Sequence, residues 1–160
     1  GKQKKKPLSF ESELENFFSS AIANRAARGL SEKACIALHF TEKSYFFSRE
    51  KGKNRITSEA LHEPDVQFWV PISAMRHIIA LAELPGANMA ILGIAIFEHL
   101  LHSDQEKKIK FRVNASFLVL WGKGYFSVLK AGGPEVASYL ARIGFGSLSK
   151  IKDTLRQLRG

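Results

Sequence analysis

The chain has a single cysteine in 160 residues, Cys35, so no internal disulfide can form. Its flanks, Lys33-Ala34 and Ile36-Ala37-Leu38, suit a buried structural thiol better than a nucleophile. GxxxxGK[ST], which would cradle a phosphate, is missing, and so is GxSxG, which would present a serine nucleophile. GKG at 122–124 and GFGS at 144–147 fall short of GxGxxG, and neither directly joins a strand to a helix in a βαβ unit, so they read as turns. No apolar run approaches the roughly 20 residues that span a bilayer. GKQKKK leads into PLSFESELENFF, where a signal peptide would place an apolar segment. Internal repeats and low-complexity linkers are absent too. These absences lead to an expectation of a soluble, cytoplasmic protein, with a basic flexible tail at 1–8 and one domain over 9–160.

Acidic residues are scarce, 15 against 24 Lys and Arg, for a net charge of +9. The excess is concentrated at the ends. Lys2, Lys4, Lys5 and Lys6 stand without an acid in the first ten residues, and Lys150, Lys152, Arg156 and Arg159 face only Asp153 in the last fourteen. Residues 11–146 carry just +2. Basic ends suit loose attraction to anionic phospholipid or nucleic acid, which makes Lys4, Lys5, Lys6, Lys150, Lys152, Arg156 and Arg159 the anion-facing candidates. For KQKKK a solvated tail is the simpler account.

What is plentiful is apolar side chain, 45% of residues beside 24% charged, the balance of a globular domain. SFESELENFFSSAIANRAAR (9–28) reads as a helix capped by Ser9 and stopped by Gly29. ACIALHF (34–40) and SYFFSRE (44–50) read as a hairpin, REKGKNR (49–55) as a turn, and RITSEAL (55–61) as a third strand. DVQFWVP (65–71) alternates until Pro71; Ser73 then caps a helix that Pro85-Gly86 breaks. KIKFRVN (108–114) alternates cleanly, Ile109, Phe111 and Val113 facing one way and Lys108, Lys110 and Arg112 the other. ASFLVLWGKGYFSVLKAGG (115–133) suits helix or strand. Pro134 opens a short helix, and SLSKIKDTLRQLRG (147–160) carries Leu148, Ile151, Leu155 and Leu158 along one amphipathic stripe. The expected fold is α+β, a mixed, mostly antiparallel sheet of about five strands with helices packed on one face.

Two polar constellations stand out against this background. His99 and His102 share a helical face with Glu98 nearby, but the order is not HExxH, and for the third ligand that a metal needs, only Asp104 lies close in sequence. A wetter helix end, with His cations favoured by the C-terminal dipole, explains them more simply. His77 reads as a hydrogen-bonded core or rim histidine. The aromatic of the Lys108, Lys110 and Arg112 strand, Phe111, is on the opposite side, so this basic face reads as solvated sheet surface; a nucleic-acid or protein-interaction module using the basic ends is the alternative function. No metal or cofactor is expected.

NMAILGIAIFEHLL (88–101) is the most unusual stretch: Met89 to Phe97 contains no polar side chain. A helix apolar nearly all round must be buried in a core, inserted in lipid or wrapped by something apolar. Its side away from the sheet could line a hydrophobic cavity. Ile79, Met89, Leu92, Ile96, Phe117, Trp121 and Phe126 lie on such surplus apolar faces and are the ligand-binding candidates.

The order of elements resembles the sterol-carrier-protein type of lipid-binding domain. PDVQFWVPISAMRHII carries a strand of the form D-V-x-F-x-V in Asp65, Val66, Phe68 and Val70, running into a helix matched by Ala74, Met75 and Ile78. IFEHLLHSDQEKKIKFRV (96–113) then resembles that family's helix feeding a K-I-K-F/V-x-V strand. The resemblance spans residues 10–130 or so. It departs at Asp104-Gln105-Glu106-Lys107, where the family has a glycine-rich turn, and in the long 115–160 extension. It implies a non-enzymatic carrier of a fatty acyl chain, sterol or phospholipid between sheet and helices, with peripheral contact to anionic membrane. Removing a flexible chain from water contributes about 0.8 kcal/mol per methylene, so such a site needs no sharp polar motif.

Overall fold

A computed structural model of the chain describes residues 8–143. Helix α1 (Phe10–Ser19) starts as its sequence dictates: Ser9 Oγ accepts from the Ser12 N–H, and Glu11 and Glu13 sit in the first turn. The single helix expected over 9–28 is instead two, because α2 (Ala21–Ala26) begins afresh at Ser20. Ser20 is extended (φ −65°, ψ 157°); its hydroxyl donates to the Phe17 carbonyl (2.6 Å) and accepts from the Ala23 N–H (3.3 Å). Capping both helices at one serine competes with the continuous ladder, which apolar spacing alone does not register.

Strands β1 (Cys35–His39) and β2 (Ser44–Glu50) form the expected antiparallel hairpin, Ile36 opposite Phe47 and Leu38 opposite Tyr45. Lys51 (φ 51°) and Gly52 (φ 76°) then close a two-residue turn whose left-handed centre matches the twist of its flanking strands. This tight turn starts β3 (Lys53–Thr57) earlier than the 55–61 span read from the sequence. β4 (Val66–Trp69) pairs parallel to β1, and β5 (Lys110–Val113) antiparallel to β4, giving the sheet order β3-β2-β1-β4-β5. The fold is therefore α+β with a mixed, mostly antiparallel five-stranded sheet.

The proline that ends β4 also opens α3 (Ile72–Glu83). Pro71, not Ser73, occupies the cap position, and Ser73 falls inside the first turn. Its ring already holds φ at −60°. Asn88 caps α4 (Met89–Leu100), its Oδ1 accepting from the Ile91 N–H (3.0 Å). The ambiguous 115–133 stretch resolves as α5 (Phe117–Gly122) and α6 (Tyr125–Lys130), Ser116 capping the first and left-handed Gly124 (φ 86°) parting the two. α7 (Gly133–Arg142) follows with Pro134 in its first turn. The amphipathic stripe of 147–160 and GFGS at 144–147 lie outside the described residues, as do all the basic-end candidates: Lys4, Lys5, Lys6, Lys150, Lys152, Arg156 and Arg159.

Alternation sorts the sheet into two faces. Leu38, Phe40, Tyr45, Val70 and Ile109 join Leu14 of α1, Ala74, Met75, Ile78 and Ile79 of α3 and Leu92 of α4 in the main buried cluster. A second cluster, Val66, Val113, Leu120 and Phe126, seats α5 and α6 on the β4–β5 end. A buried cation braces the other end. Arg49 Nη1 donates to Asn24 Oδ1 (3.0 Å) and Asn54 Oδ1 (2.6 Å), and Nη2 to the Gly52 carbonyl (3.1 Å), tying α2 to the β2–β3 turn.

The two turn glycines separate backbone strain from steric conflict. Gly52→Ala meets no atom within 4 Å, so it should cost only the left-handed penalty of about 1–2 kcal/mol. At Gly124 a Cβ would also run into the Gly29 carbonyl. Gly124→Ala should therefore lower the denaturant midpoint clearly further than Gly52→Ala at an unchanged m-value.

Candidate functional site

The apolar candidates fall into two groups. Ile79 and Leu92 are buried in the main cluster, with Ile96 partly buried against it. Met89, at the start of α4, is half-buried. Phe117, Trp121 and Phe126 form a separate aromatic triad on α5 and α6, with ring centroids 5.2–6.2 Å apart. Phe126 is buried, whereas Trp121 remains 51% exposed beside Leu118 at 78%. Two open depressions, about 200 Å³ between α1 and β3 and about 530 Å³ beside Ser31, Lys33 and His62, touch none of these residues.

Helix α4 itself is incompletely covered. Of its twelve residues only Leu92 and Ala95 are buried, although the run from Met89 to Phe97 is wholly apolar. α3 and α7 pack along it, and Gly93 lets α7 approach so closely that a Cβ there would stand 3.0 Å from Val136. Ile91 is left 43% exposed, and Leu101, just past the helix end, 47%. The fold thus uses one side of the helix as core and leaves another in water.

The most polar constellation is centred on Asp65 at the start of β4. Asp65, only 5% exposed, gathers three donors on its carboxylate. Oδ2 accepts from the Tyr125 hydroxyl (2.7 Å) and the Cys35 N–H (3.0 Å), while Oδ1 accepts from Lys123 Nζ (2.8 Å). Burial, and next the carboxylate it donates to, hold the Tyr125 hydroxyl protonated far above the ordinary tyrosine range. Burial likewise pushes the Cys35 thiol up, with Asp65 adding to it. Both groups are thus held protonated at neutral pH, and the cluster clamps β1, the start of β4 and α6 together. Its members are far apart in sequence; the one local hint was an acid directly before an apolar strand.

The histidines pair differently from the spacing reading. His99 meets His77 of α3 rather than His102, with His77 Nδ1 and His99 Nε2 2.9 Å apart. One ring must donate and the other accept, which two imidazolium rings cannot do. Burial, the nearby His77 and the nearby His102 lower the His99 pKa against opposing contributions from the Lys107 backbone and Glu98. Among the described residues no group of three His, Cys, Asp or Glu could hold a metal ion.

The face of the sheet turned away from the main cluster carries a third constellation. His39 Nε2 lies 2.8 Å from Gln67 Oε1 and its Nδ1 2.6 Å from Ser44 Oγ, fixing the ring. Trp69 stacks on that ring, with centroids 5.1 Å apart at 27°. Across the register Lys110 stands opposite Trp69, and Arg112 opposite Gln67. The aromatic missing beside the basic residues of β5 is supplied by the next strand.

The chain matches no family model, no curated protein and no solved structure. Among the described residues, no helix is long and apolar enough to cross a membrane.

Asp65→Ala strands the Tyr125 hydroxyl, the Cys35 N–H and the Lys123 ammonium, and should cost about 3–5 kcal/mol in urea unfolding. Tyr125→Phe removes a single donor and should cost about 1–2 kcal/mol. Near-equal values for the two variants would contradict the clamp. His99 gives a pH test. A histidine whose folded pKa lies below its unfolded value adds stability above about pH 6.5, lost as pH falls through the folded pKa. His99→Gln should accordingly flatten the fall in Tm between about pH 7 and pH 5.

Proposed function

We propose that the protein is a non-enzymatic binding or carrier domain for a hydrophobic ligand: a fatty acyl chain, a sterol or a phospholipid. The observation that carries this reading is α4, apolar without interruption from Met89 to Phe97, of which the described fold fully buries only Leu92 and Ala95. The ligand lies along the side that presents Ile91, with Met89 half-buried at the helix start and Ile96 packed toward the filled core of Ile79 and Leu92. The aromatic triad of Phe117, Trp121 and Phe126, with exposed Leu118, offers a second apolar surface for the same chemistry.

The order of elements supports the reading. A leading helix, a hairpin, a strand running into α3, then α4 feeding β5 and a final helical region is the order the sterol-carrier resemblance implies. Noncatalytic action fits the side chains present. The buried carboxylate is saturated with donors, and the thiol and phenol beside it are held protonated. An apolar site works without such groups, because each methylene withdrawn from water contributes about 0.8 kcal/mol before ordering costs. Basic ends would add attraction to an anionic membrane, about 1 kcal/mol for each cation near its surface.

Native mass spectrometry with organic extraction, followed by titration with a fluorescent fatty acid, tests the reading. Micromolar binding is expected. Ile91→Lys, at an exposed position, should change stability by no more than about 0.5 kcal/mol yet weaken that binding at least tenfold. A clean apo mass with no fatty-acid binding at micromolar protein would remove the carrier function.

A further inference from the structure

The sheet face opposite the main cluster joins aromatic and cationic groups that are dispersed in the sequence. Trp69 is 42% exposed although it belongs to a strand that is otherwise partly or wholly buried. It is not loose: His39 supports the indole by stacking, and Ser44 and Gln67 lock His39 through its two ring nitrogens. A rigid, part-exposed indole is a ready surface for a second planar ring. Beside it, Lys110 and Arg112 project from alternate positions of β5, about 6.7 Å apart at the usual rise of a strand. Both are exposed, and among the described residues neither is in an ion pair. At the far edge of this face the cations behave differently: Arg55 of β3 is paired with Glu50, and Lys53 stands opposite Glu50. The unneutralised charge therefore sits at the β4–β5 end, next to the indole.

We propose that this face, formed by His39, Gln67, Trp69, Lys110 and Arg112, binds single-stranded nucleic acid. A base stacks on Trp69, and Lys110 and Arg112 reach successive phosphates of the extended strand. Stacking platforms flanked by cations are how single strands are held without sequence-specific readout, since every base has a π-face and every step a phosphate. A duplex, with its bases already stacked inside, would engage the cations alone. An anionic bilayer would also meet the cations but has no planar ring to place on the indole. The site is on the opposite side of the sheet from the helix layer that contains α4, so it does not depend on the hydrophobic-ligand reading.

Fluorescence anisotropy of the full chain with a labelled oligouridylate of about 15 nucleotides tests this, at several salt concentrations. Binding in the micromolar range or tighter is expected. Trp69→Ala should weaken it by about tenfold, and Trp69→Phe should recover part of the loss because a ring is restored. The pair Lys110→Gln and Arg112→Gln should weaken it further and lower the salt slope by about 0.7 for each cation removed. Replacing Lys4, Lys5 and Lys6 by Gln should leave the factor for Trp69→Ala unchanged. Circular dichroism of each variant confirms that the fold is intact. Absence of oligonucleotide binding overturns the proposal. So does binding that Trp69→Ala and the double variant leave within about twofold of the parent. Sedimentation with phosphatidylserine vesicles through Lys110 and Arg112, without oligonucleotide binding, assigns the face to membrane instead. Fatty-acid binding by the parent chain, scored separately, is unaffected by any of these outcomes.

Discussion

The carboxylate of Asp65 is where the separate parts of this fold are tied together. It stands at the entry to β4, takes an N–H from β1, a hydroxyl from α6 and an ammonium from the α5–α6 link. Its own carbonyl accepts the N–H groups of Asn114 and Ala115 just after β5, and its N–H donates to the Cys35 carbonyl. A buried carboxylate without partners would be far costlier than any stabilisation one side chain contributes, so its three donors are a requirement of the fold. Their positions follow. Lys123 and Tyr125 reach one carboxylate only because Gly124 between them adopts φ 86°, and the Lys123 carbonyl is held in turn by the Ser31 N–H (2.9 Å). Besides the clamp, α5 and α6 are held by apolar contact with the β4–β5 end, by the Ser31 N–H to the Lys123 carbonyl and by the Tyr125 hydroxyl to the Cys35 carbonyl (3.2 Å).

Period-2 and period-3.6 patterns carry most of the architecture. Both strands of the first hairpin, the alternation of β5 and the extent of α4 are written in neighbouring residues, and local signals suffice there. What escaped local reading has a common physical origin in polar side chains bonding to backbone or to distant partners. Ser20 splits an apolar-periodic helix because its hydroxyl satisfies both helix ends. Lys51-Gly52 sets the start of β3 by accepting left-handed backbone at a lysine. Phe117 to Trp121 suits either period, and only a cap at Ser116 with a glycine at 124 decides for helix.

The candidate sites were legible to very different degrees. The apolar surplus of α4 stood out at once, because composition along one helix is a local property. Asp65 with Tyr125 did not, since partners 60 positions apart leave no spacing to read. The basic and aromatic face was hidden for another reason. Within β5 the aromatic Phe111 points to the core with Ile109 and Val113, which correctly separates it from Lys110 and Arg112. A sheet face, however, is assembled across strands, and register rather than sequence puts Trp69 opposite Lys110.

The uncovered side of α4 poses a sharper physical question than exposure of any one residue. A single exposed isoleucine is ordinary on a protein surface. Here the polar alternatives that would serve a purely structural helix are missing from successive turns: Ala90, Ile91, Ile94 and Phe97 are all apolar, Ile91 exposed and the other three only partly buried. Gly93, meanwhile, weakens the helix while admitting α7 to close range. Packing against α3 and α7 withdraws this side only in part, since Leu92 and Ala95 alone are fully buried. A helix built this way is best accounted for by apolar contacts beyond those of the described residues, which is why the hydrophobic-ligand reading rests on α4 and not on the better-packed α3.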